Sequence, residues 1–276
     1  MHGMFSLPAR AYRRLRNDGI RDLLFYTRLY VAEQITEPLY ARIRQRLYRR
    51  RYSSAAPEPY DLVVVDAKDV NKMLCRPQSR RVWHGTYIRG GDWDINERDE
   101  QLYYDNDFEQ VFDELTVIDL ENYVFYRSVR EHVRNDVPWE ETEFYQWITD
   151  NLGLVPYYEN EELIQRRLKG LDELCASIRE DGYRTQRELQ NDGSAPFSAR
   201  TDPCPEYHEV IINIGRDGQF LFEEGRHRFC VAKALGLEIP VRIFVRHKQW
   251  QQKVASLTNE LGGNTNVDHP DVDSPV

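Results

Sequence analysis

A five-residue segment of the chain combines a carboxylate, a glycine, a histidine and two arginines, Glu224-Gly225-Arg226-His227-Arg228. Glycine lets a backbone approach a ligand closely, and the amide groups at the start of a helix attract anions. Arginine can donate two parallel hydrogen bonds to a phosphate, and histidine can donate one. The segment therefore predicts a phosphate-binding turn made of Gly225, Arg226, His227 and Arg228. A structural alternative stays open, in which Arg226 pairs with a neighbouring glutamate.

A second segment that could do chemistry is WHGTYIRGGDWD, residues 83–94. Its first half suits a strand, which Gly90 and Gly91 then break. Asp92 and Asp94 follow directly, and two carboxylates beside such a turn could deprotonate a hydroxyl or hold Mg²⁺ through water. The alternative is a tight hairpin whose aspartates only cap the turn.

The first segment lies inside a longer stretch, residues 206–250, that predicts strand, hairpin, strand, helix and strand. An Asp-Gly pair at 217–218 favours the hairpin turn, and Gly236 is placed to end the helix. β-Branched and aromatic residues favour the strands, and those expected there are Val210, Ile211, Ile212, Ile214, Phe220, Phe222, Val241, Ile243 and Val245. Gly225 is thus predicted at a junction between a strand and a helix.

This order of elements around a Gly-x-His-Arg turn resembles the ParB/sulfiredoxin superfamily, in which such a turn binds nucleotide phosphates. The resemblance implies an α+β fold with a small ParB/sulfiredoxin-like mixed-sheet domain. Its core would comprise residues 60–95 and 206–250, with a large helical insertion over 98–190. The resemblance also implies ATP or another nucleotide as the ligand, together with Mg²⁺.

The branches of this superfamily imply different activities. Sulfiredoxins carry a catalytic cysteine inside the turn, where this chain has Arg226, so reductase activity is not expected. ParB proteins carry a DNA-binding helix-turn-helix after the nucleotide domain, whereas the residues after Trp250 are few and acidic. The free-serine kinase branch carries an acidic residue before the turn, as Glu224 is here, and a carboxylate that deprotonates the substrate. The chain is therefore expected to be a phosphotransferase for a small hydroxylated substrate, with Glu224, Asp92 and Asp94 as catalytic residues.

Further residues are candidates for binding that substrate. Arg246 and His247 could cover the phosphates, or they could simply end the last strand. His132 could bind a ligand or act as an acid or base, although a lone helical histidine is more often structural. The predicted substrate-binding residues are Gly90, Gly91, Trp93, His132, Arg246 and His247. The four cysteines show no metal-ligand spacing, so reduced thiols and no protein-held metal are predicted.

Positive charge is concentrated at the start of a chain that is acidic overall. The net charge is −9, yet residues 1–51 contain 12 arginines and four acidic residues. Leu39, Ile43 and Leu47 recur at four-residue spacing, which predicts a basic amphipathic helical arm over 1–55. Residues 8–50 of this arm could contact an anionic membrane surface. Alternatively, the arm packs on its own domain or on a second subunit.

The remaining chain predicts one main domain over 60–250, with helices at 108–134 and 163–178, and a disordered acidic tail over 259–276. No apolar run approaches the ~20 residues needed to span a bilayer, and no secretion signal is evident. A cytoplasmic location is therefore expected, with peripheral membrane association as an option. Nucleic acid is the less expected partner because of the net charge. The alternative functions are a ParB-like nucleic-acid-binding protein or nuclease and a non-enzymatic adaptor.

Overall fold

The computed structural model describes residues 37–58, 60–75, 88–103, 114–153, 158–196, 199–200, 202, 204–260 and 269–273. In these ranges it has a mixed α/β architecture, with helices packed on an eight-stranded sheet. The helices are α1 (Glu37–Tyr52), α2 (Val124–Asn135), α3 (Glu143–Asp150), α4 (Glu161–Asp181), α5 (Gln186–Asn191), α6 (Arg226–Leu235), α7 (Lys248–Glu260) and α8 (Pro270–Asp273). The strands are β1 (Leu62–Asp66), β2 (Lys72–Cys75), β3 (Ile88–Arg89), β4 (Glu97–Arg98), β5 (Thr116–Asp119), β6 (Ile211–Ile214), β7 (Phe220–Glu224) and β8 (Glu238–His247).

The sheet gives the central strands two distinct ends. The strands pair in the order β1-β8-β6-β7-β2-β5-β4, and β3 pairs with β8. Strands β3 and β6 both run parallel to β8, so the carboxyl ends of all three meet. We call this end of the sheet the hairpin end, because the β6–β7 connection, residues 215–219, also lies there. At the opposite end of these strands, β7 ends beside Val210, whose carbonyl accepts a hydrogen bond from the Arg242 amide at 2.9 Å. We call that end the Gly225 end.

The two faces of the sheet are covered differently, because successive side chains of a strand point to opposite sides. Helices α2, α4 and α6 cover one face, where Ile212, Phe222 and Ile243 belong to the main core. We call this the helical face. The second face carries a smaller buried cluster, made of Leu74, Trp93, Leu115, Val117, Ile211, Leu221, Phe244 and Val245.

The element order predicted for residues 206–250 is confirmed. β6, β7, α6 and β8 follow one another, with the Asp217-Gly218 turn between the first two strands. Gly236 ends α6 with φ 70°. Residues 62–66, inside the expected core segment 60–95, form β1, and the helix predicted over 163–178 lies within α4. Of the strand predicted within 83–94, only β3 falls in the described ranges, and Thr86 and Tyr87 lie outside them.

The helix predicted over 108–134 is wrong in its first described part. Residues 104–113 lie outside the described ranges, residues 116–119 form β5, and α2 begins only at Val124. β5 pairs antiparallel with β2, a strand that was also not expected. Thr116, Val117 and Ile118 are β-branched and fit this pairing. The region 98–190 therefore adds β5 to the sheet and is not a purely helical insertion.

Part of the tail that was expected to be disordered is folded. Residues 270–273 form α8, and Asp271 accepts hydrogen bonds from Arg246 Nε at 2.9 Å and from Arg246 Nη2 at 2.5 Å. Asp271 also accepts the Trp250 indole N–H at 3.0 Å. This segment is folded because Asp271 neutralises the charge of Arg246, whose burial without a partner would be costly.

Residues 37–52 of the predicted basic arm form helix α1, and residues 1–36 lie outside the described ranges. Its Leu39, Ile43 and Leu47 side chains are exposed. What the arm contacts stays a prediction. Among the helices of the described ranges, none combines the length and the apolar character needed to cross a membrane.

Candidate functional site

The predicted phosphate-binding turn does join a strand to a helix. Gly225 follows β7 with φ 89° and is the N-cap of α6. A Cβ at this position would lie 3.0 Å from Val210 Cα, so only glycine fits both the left-handed backbone and this close contact. Glycine has no side chain to bond the amide groups of the first helical turn. Those amides, together with the helix dipole, can therefore receive an anion.

Arg228, by contrast, is held by the protein itself. Its Nη1 donates to Glu209 Oε2 at 2.8 Å, its Nη2 donates to the Arg184 carbonyl, and its guanidinium lies 4.4 Å from the Tyr183 ring centroid. The Glu209 side chain is fully buried and also accepts the Gln186 amide. Burial raises the pKa of Glu209, while Arg228 acts to lower it. The fork of Arg228 is thus directed at the protein in this structure and not at a ligand site.

His227 lies on the helical face and is neutral. Its ring packs edge-on against Phe125 of α2, with 5.5 Å between ring centroids. Burial and the nearby charges of Arg226 and Arg167 lower the pKa of His227 to about 3. The imidazole can donate one hydrogen bond at neutral pH, but it supplies no positive charge to a phosphate.

Positive charge at this turn comes from two other arginines. Arg226 is the first residue of α6 and is half-buried, and Arg167 of α4 is close enough to act on His227. Glu224, the last residue of β7, is exposed. The start of α6 thus combines amide donors, two guanidinium groups and one exposed carboxylate.

At the hairpin end, the two predicted catalytic aspartates bind Arg216. Its Nη2 donates to Asp94 Oδ1 at 2.7 Å and to Asp92 Oδ1 at 2.9 Å, and its backbone amide donates to Asp94 Oδ2 at 2.6 Å. Burial raises the pKa of Asp94, but the hydrogen bonds from Arg216 outweigh it and lower the pKa below its usual value. The same hydrogen bonds raise the pKa of Arg216. Both carboxylates therefore connect the 90–94 turn to the β6–β7 hairpin. The segment is not the tight hairpin of the structural alternative, because β3 pairs with β8 and β4 pairs with β5.

His247 completes this connection. Its Nε2 donates to the Gly91 carbonyl at 2.8 Å, and its Nδ1 accepts the Gln249 amide at 3.2 Å. These two bonds place the ring proton on Nε2 and leave neither nitrogen for a ligand. Beside His247 opens a cavity of about 300 Å³, lined by Gly90, Gly91, Asp92, His247, Lys248, Gln249 and Gln252. Three of the six predicted substrate-binding residues thus line one small polar cavity.

The other three predicted substrate-binding residues have structural contacts. Trp93 is buried in the second-face cluster, with its indole N–H 3.4 Å from the Arg89 carbonyl. Arg246 is buried and bound to Asp271. His132 lies near the end of α2, stacked on Trp139 at 4.2 Å between ring centroids. Its Nδ1 lies 2.8 Å from the Val137 carbonyl, and its Nε2 lies 3.1 Å from Asp172.

The structure does not bring the two predicted halves of the catalytic site together. Gly225 adjoins Val210 before β6, whereas Asp94 binds Arg216 after β6. A strand rises about 3.3 Å per residue, so the two places lie roughly 20 Å apart along the sheet. Asp92 and Asp94 are therefore not positioned to act on a group bound at Gly225. Glu224 is the predicted catalytic carboxylate that adjoins the turn.

Sequence reasoning missed Arg216 and Glu209, the partners that fix the two segments. Arg216 precedes the Asp-Gly turn, and its position in a predicted hairpin was the available signal. Asp94, however, is 122 residues away in the chain, and nothing local pairs the two.

The protein offers no ready place for the implied Mg²⁺. Asp92 and Asp94 both face Arg216, and the described ranges contain no group of three or more acidic, histidine or cysteine side chains arranged to hold a metal. Mg²⁺ at the Gly225 turn would therefore be carried mainly by the nucleotide phosphates, as is common for this ion.

No protein-family model, no curated protein and no solved structure matches this chain.

Proposed function

We propose that this protein binds a nucleotide and holds its phosphates at the first turn of α6. The observation that carries the proposal is the junction itself: β7 ends at a left-handed glycine, and a helix without a side-chain cap begins there with Arg226. Helix starts of this kind bind phosphate through their amide groups. The strand–glycine–helix–strand order supports the ParB/sulfiredoxin-like interpretation of this part of the chain.

The residues of the turn have separate roles in this proposal. Gly225 admits the phosphate to the backbone amides, and Arg226 supplies the charge-assisted hydrogen bonds. Arg228 positions the helix start through Glu209 and does not contact the ligand. His227 adds at most one neutral hydrogen bond.

Transfer of phosphate to a small hydroxylated substrate is the reaction that best suits this turn. Glu224 is exposed beside the turn and can take the proton of the acceptor hydroxyl. The hydroxyl oxygen then bonds to the terminal phosphorus of the nucleotide, and the bond to the nucleoside diphosphate breaks. When bound, Mg²⁺ supplies charge neutralisation for the phosphates.

A second candidate function, a non-enzymatic adaptor, is favoured by one specific observation. Two of the four turn residues already make contacts within the protein: Arg228 pairs with Glu209, and the neutral His227 packs against Phe125. In an adaptor the whole turn serves only to join β7 to α6, and no nucleotide binds.

Titration calorimetry with ATP, ADP and CTP, each with Mg²⁺, separates the two candidates. We expect the wild type to bind at least one nucleotide with a dissociation constant below about 1 mM. Arg226→Ala should weaken that binding at least about tenfold, since a hydrogen bond from a charged donor contributes roughly 1.5–3 kcal/mol. Arg166→Ala, which removes an exposed arginine of α4 paired with Glu162, is the matched control and should bind as the wild type does. Absence of binding to all three nucleotides at millimolar concentration would reject the proposal.

A further inference from the structure

Arg242 is a buried cation in the middle of β8. Its residue is 1% exposed, and it lies between β1 and β6, paired in register with Leu62 and Ile211. By strand alternation its side chain shares the second face with Phe244, away from α6. Arginine stays protonated inside proteins, so a full positive charge is buried here.

The surroundings of this charge are aromatic. The Arg242 guanidinium carbon lies 4.6 Å from the Tyr207 ring centroid and 5.3 Å from those of Tyr60 and Phe244. Its Nη1 donates a long hydrogen bond, 3.5 Å, to the Tyr207 carbonyl. Among the residues that the structure describes, no carboxylate forms an ion pair with Arg242. Aromatic rings attract a cation, but they do not replace the hydrogen bonds that its N–H groups lose on burial.

The nitrogens of Arg242 that lack hydrogen-bond partners lie on the same side of its guanidinium group. Nε and Nη2 are both buried and have no hydrogen-bond partner in the described ranges. These two nitrogens form the edge of a guanidinium that binds the two oxygens of a carboxylate or phosphate side by side. Other arginines of this chain use that edge to bind a carboxylate. Examples are the pairs Arg187–Glu206, Arg216–Asp94 and Arg246–Asp271.

We propose that Arg242, covered by Tyr60 and Tyr207, is the binding site for the carboxylate or phosphate group of a small-molecule ligand. The oxyanion occupies the Nε–Nη2 edge, as Asp271 occupies that edge of Arg246. The two tyrosine rings and Phe244 form apolar walls, so the ligand is recognised by a forked ion pair in an aromatic surrounding.

Tyr60 is the residue that admits the ligand. It precedes β1 and has φ 68°, a left-handed backbone that a tyrosine rarely adopts. Its ring is half-buried and lies over Arg242. Movement of this one residue toward an ordinary backbone conformation would relieve the strain and take its ring away from the guanidinium.

This site is distinct from the proposed nucleotide site. The α6 turn binds through backbone amides and Arg226 at the end of β7, whereas Arg242 lies within β8 and directs its side chain to the other face. A ligand bound at one site is therefore affected by substitutions at that site alone.

The test is thermal unfolding in a chloride buffer of constant ionic strength, titrated with inorganic phosphate or with succinate. We expect at least one of these probes to raise the unfolding midpoint of the wild type saturably, by about 3 °C. Arg242→Met should abolish the rise, and Arg226→Ala should keep it. Without either probe, the midpoint of Arg242→Met should equal or exceed that of the wild type, because the variant removes a charge without a partner. Arg242→Lys, which keeps the charge but loses the forked edge, should bind at least tenfold more weakly.

Three outcomes would overturn the proposal. One is a wild type whose midpoint does not respond saturably to either probe. Another is an Arg242→Met variant that is strongly destabilised or does not fold, because Arg242 would then have a partner within the protein. The third is a phosphate response lost in Arg226→Ala but kept in Arg242→Lys, which would assign the response to the α6 turn and leave the nucleotide proposal standing.

Discussion

Strand β8 carries two buried arginines, four residues apart, and their surroundings differ. Arg242 pairs in register with Ile211 of the second-face cluster, whereas Arg246 pairs with Ile214 of the main core. Arg246, at the hairpin end, has its Nε–Nη2 edge filled by Asp271. Arg242, toward the Gly225 end, has that edge buried and unfilled within the described ranges. Both cations pay the cost of leaving water, but only Arg246 recovers it through an ion pair.

The hairpin end and the start of α6 also differ in their polar contacts. At the hairpin end Asp94, Asp92 and Arg216 neutralise one another, and His247 has both ring nitrogens bonded. At the Gly225 end the first turn of α6 has no side-chain cap from Gly225. The hairpin end is therefore held together by its own ion pairs and hydrogen bonds, whereas the start of α6 is where we propose that an anionic ligand binds.

The largest effect on stability is expected from breaking the Asp94–Arg216 ion pair at the hairpin end. Asp94→Ala leaves Arg216 without its buried partner, so the free energy of unfolding should fall by about 4 kcal/mol in urea denaturation. Asp92→Ala is the matched control, because Asp92 binds the same arginine from a side chain that is 80% exposed. It should cost less than about 1 kcal/mol. Equal losses in the two variants would show that the hairpin end is not closed by Asp94.

The ion pair of Asp94 also predicts a pH dependence. Its pKa is lowered in the folded protein, so its stabilisation is present above the ordinary value of 3.8 and is lost as the pH falls through the folded value. The stability difference between the wild type and Asp94→Asn should therefore be constant from pH 7 to 5 and shrink below pH 4. A difference that grows toward low pH would have the wrong sign.

The two arginines of β8 should respond in different ways to the same substitution. Arg246→Met strands the Asp271 carboxylate and should lower the free energy of unfolding by about 3 kcal/mol. Arg242→Met should change it by less than about 1 kcal/mol in buffer without phosphate or carboxylates. Parallel urea denaturation curves check both values. Similar losses in the two variants would remove the contrast between the two ends.

Alanine substitutions at two glycines of the hairpin end distinguish the stability cost of backbone strain from the cost of overpacking. Gly218 and Gly91 both have φ 94°, but a Cβ on Gly218 would lie 2.6 Å from the Trp250 ring, whereas one on Gly91 meets nothing within 4 Å. Gly218→Ala should cost about 3 kcal/mol, from overpacking and strain together. Gly91→Ala should cost about 1 kcal/mol from strain alone. Thermal or urea unfolding of both variants measures the difference in stability. Equal losses of stability would contradict the close packing of Gly218 against Trp250.

A second pH effect is expected from His227 at the Gly225 end, and it is absent at neutral pH. Its pKa is lowered to about 3 in the folded protein, so the unfolded chain takes up a proton below about pH 6.5 that the folded chain does not. Stability should therefore fall as the pH drops from 6.5 toward 4, by at most about 1.4 kcal/mol per pH unit from this residue. In His227→Gln that component should vanish. An unchanged slope in the variant would mean that the fold does not lower the pKa of His227.

The sequence predicted the parts of the molecule whose signals are local. Residues 206–250 carry β-branched strands, an Asp-Gly turn and a helix-ending glycine within 45 positions, and each signal agrees with the next. Strand β5 was missed because Leu115 and Ile118 also fit a helical period, and its pairing with β2 spans more than 40 residues. The α8 helix was missed because its segment is polar and acidic, and its stabilising contacts, such as those of Asp271 with Arg246 and Trp250, come from outside the segment.

The candidate site was predictable in its parts but not in its assembly. Gly225 and Arg226 could be read from the local strand–glycine–helix pattern. The pairing of Arg228 with Glu209, and of Asp94 with Arg216, depends on contacts between distant segments that composition and spacing do not specify. This is why the sequence combined Asp92, Asp94 and Gly225 into one site, whereas the structure places them at opposite ends of the sheet.

Amide chemical shifts on titration with ATP and Mg²⁺ compare the two ends most directly, in ¹⁵N–¹H spectra of the deuterated protein. We predict that the amide signals of Arg226, His227 and Arg228 shift saturably, while those of Gly91 and Lys248 do not. An Arg226→Ala sample should show a curve displaced to at least about tenfold higher ATP concentration. Shifts at Gly91 and Lys248 without shifts at the start of α6, or no shift anywhere at 5 mM ATP (roughly the upper limit for binding of this strength), would contradict this prediction.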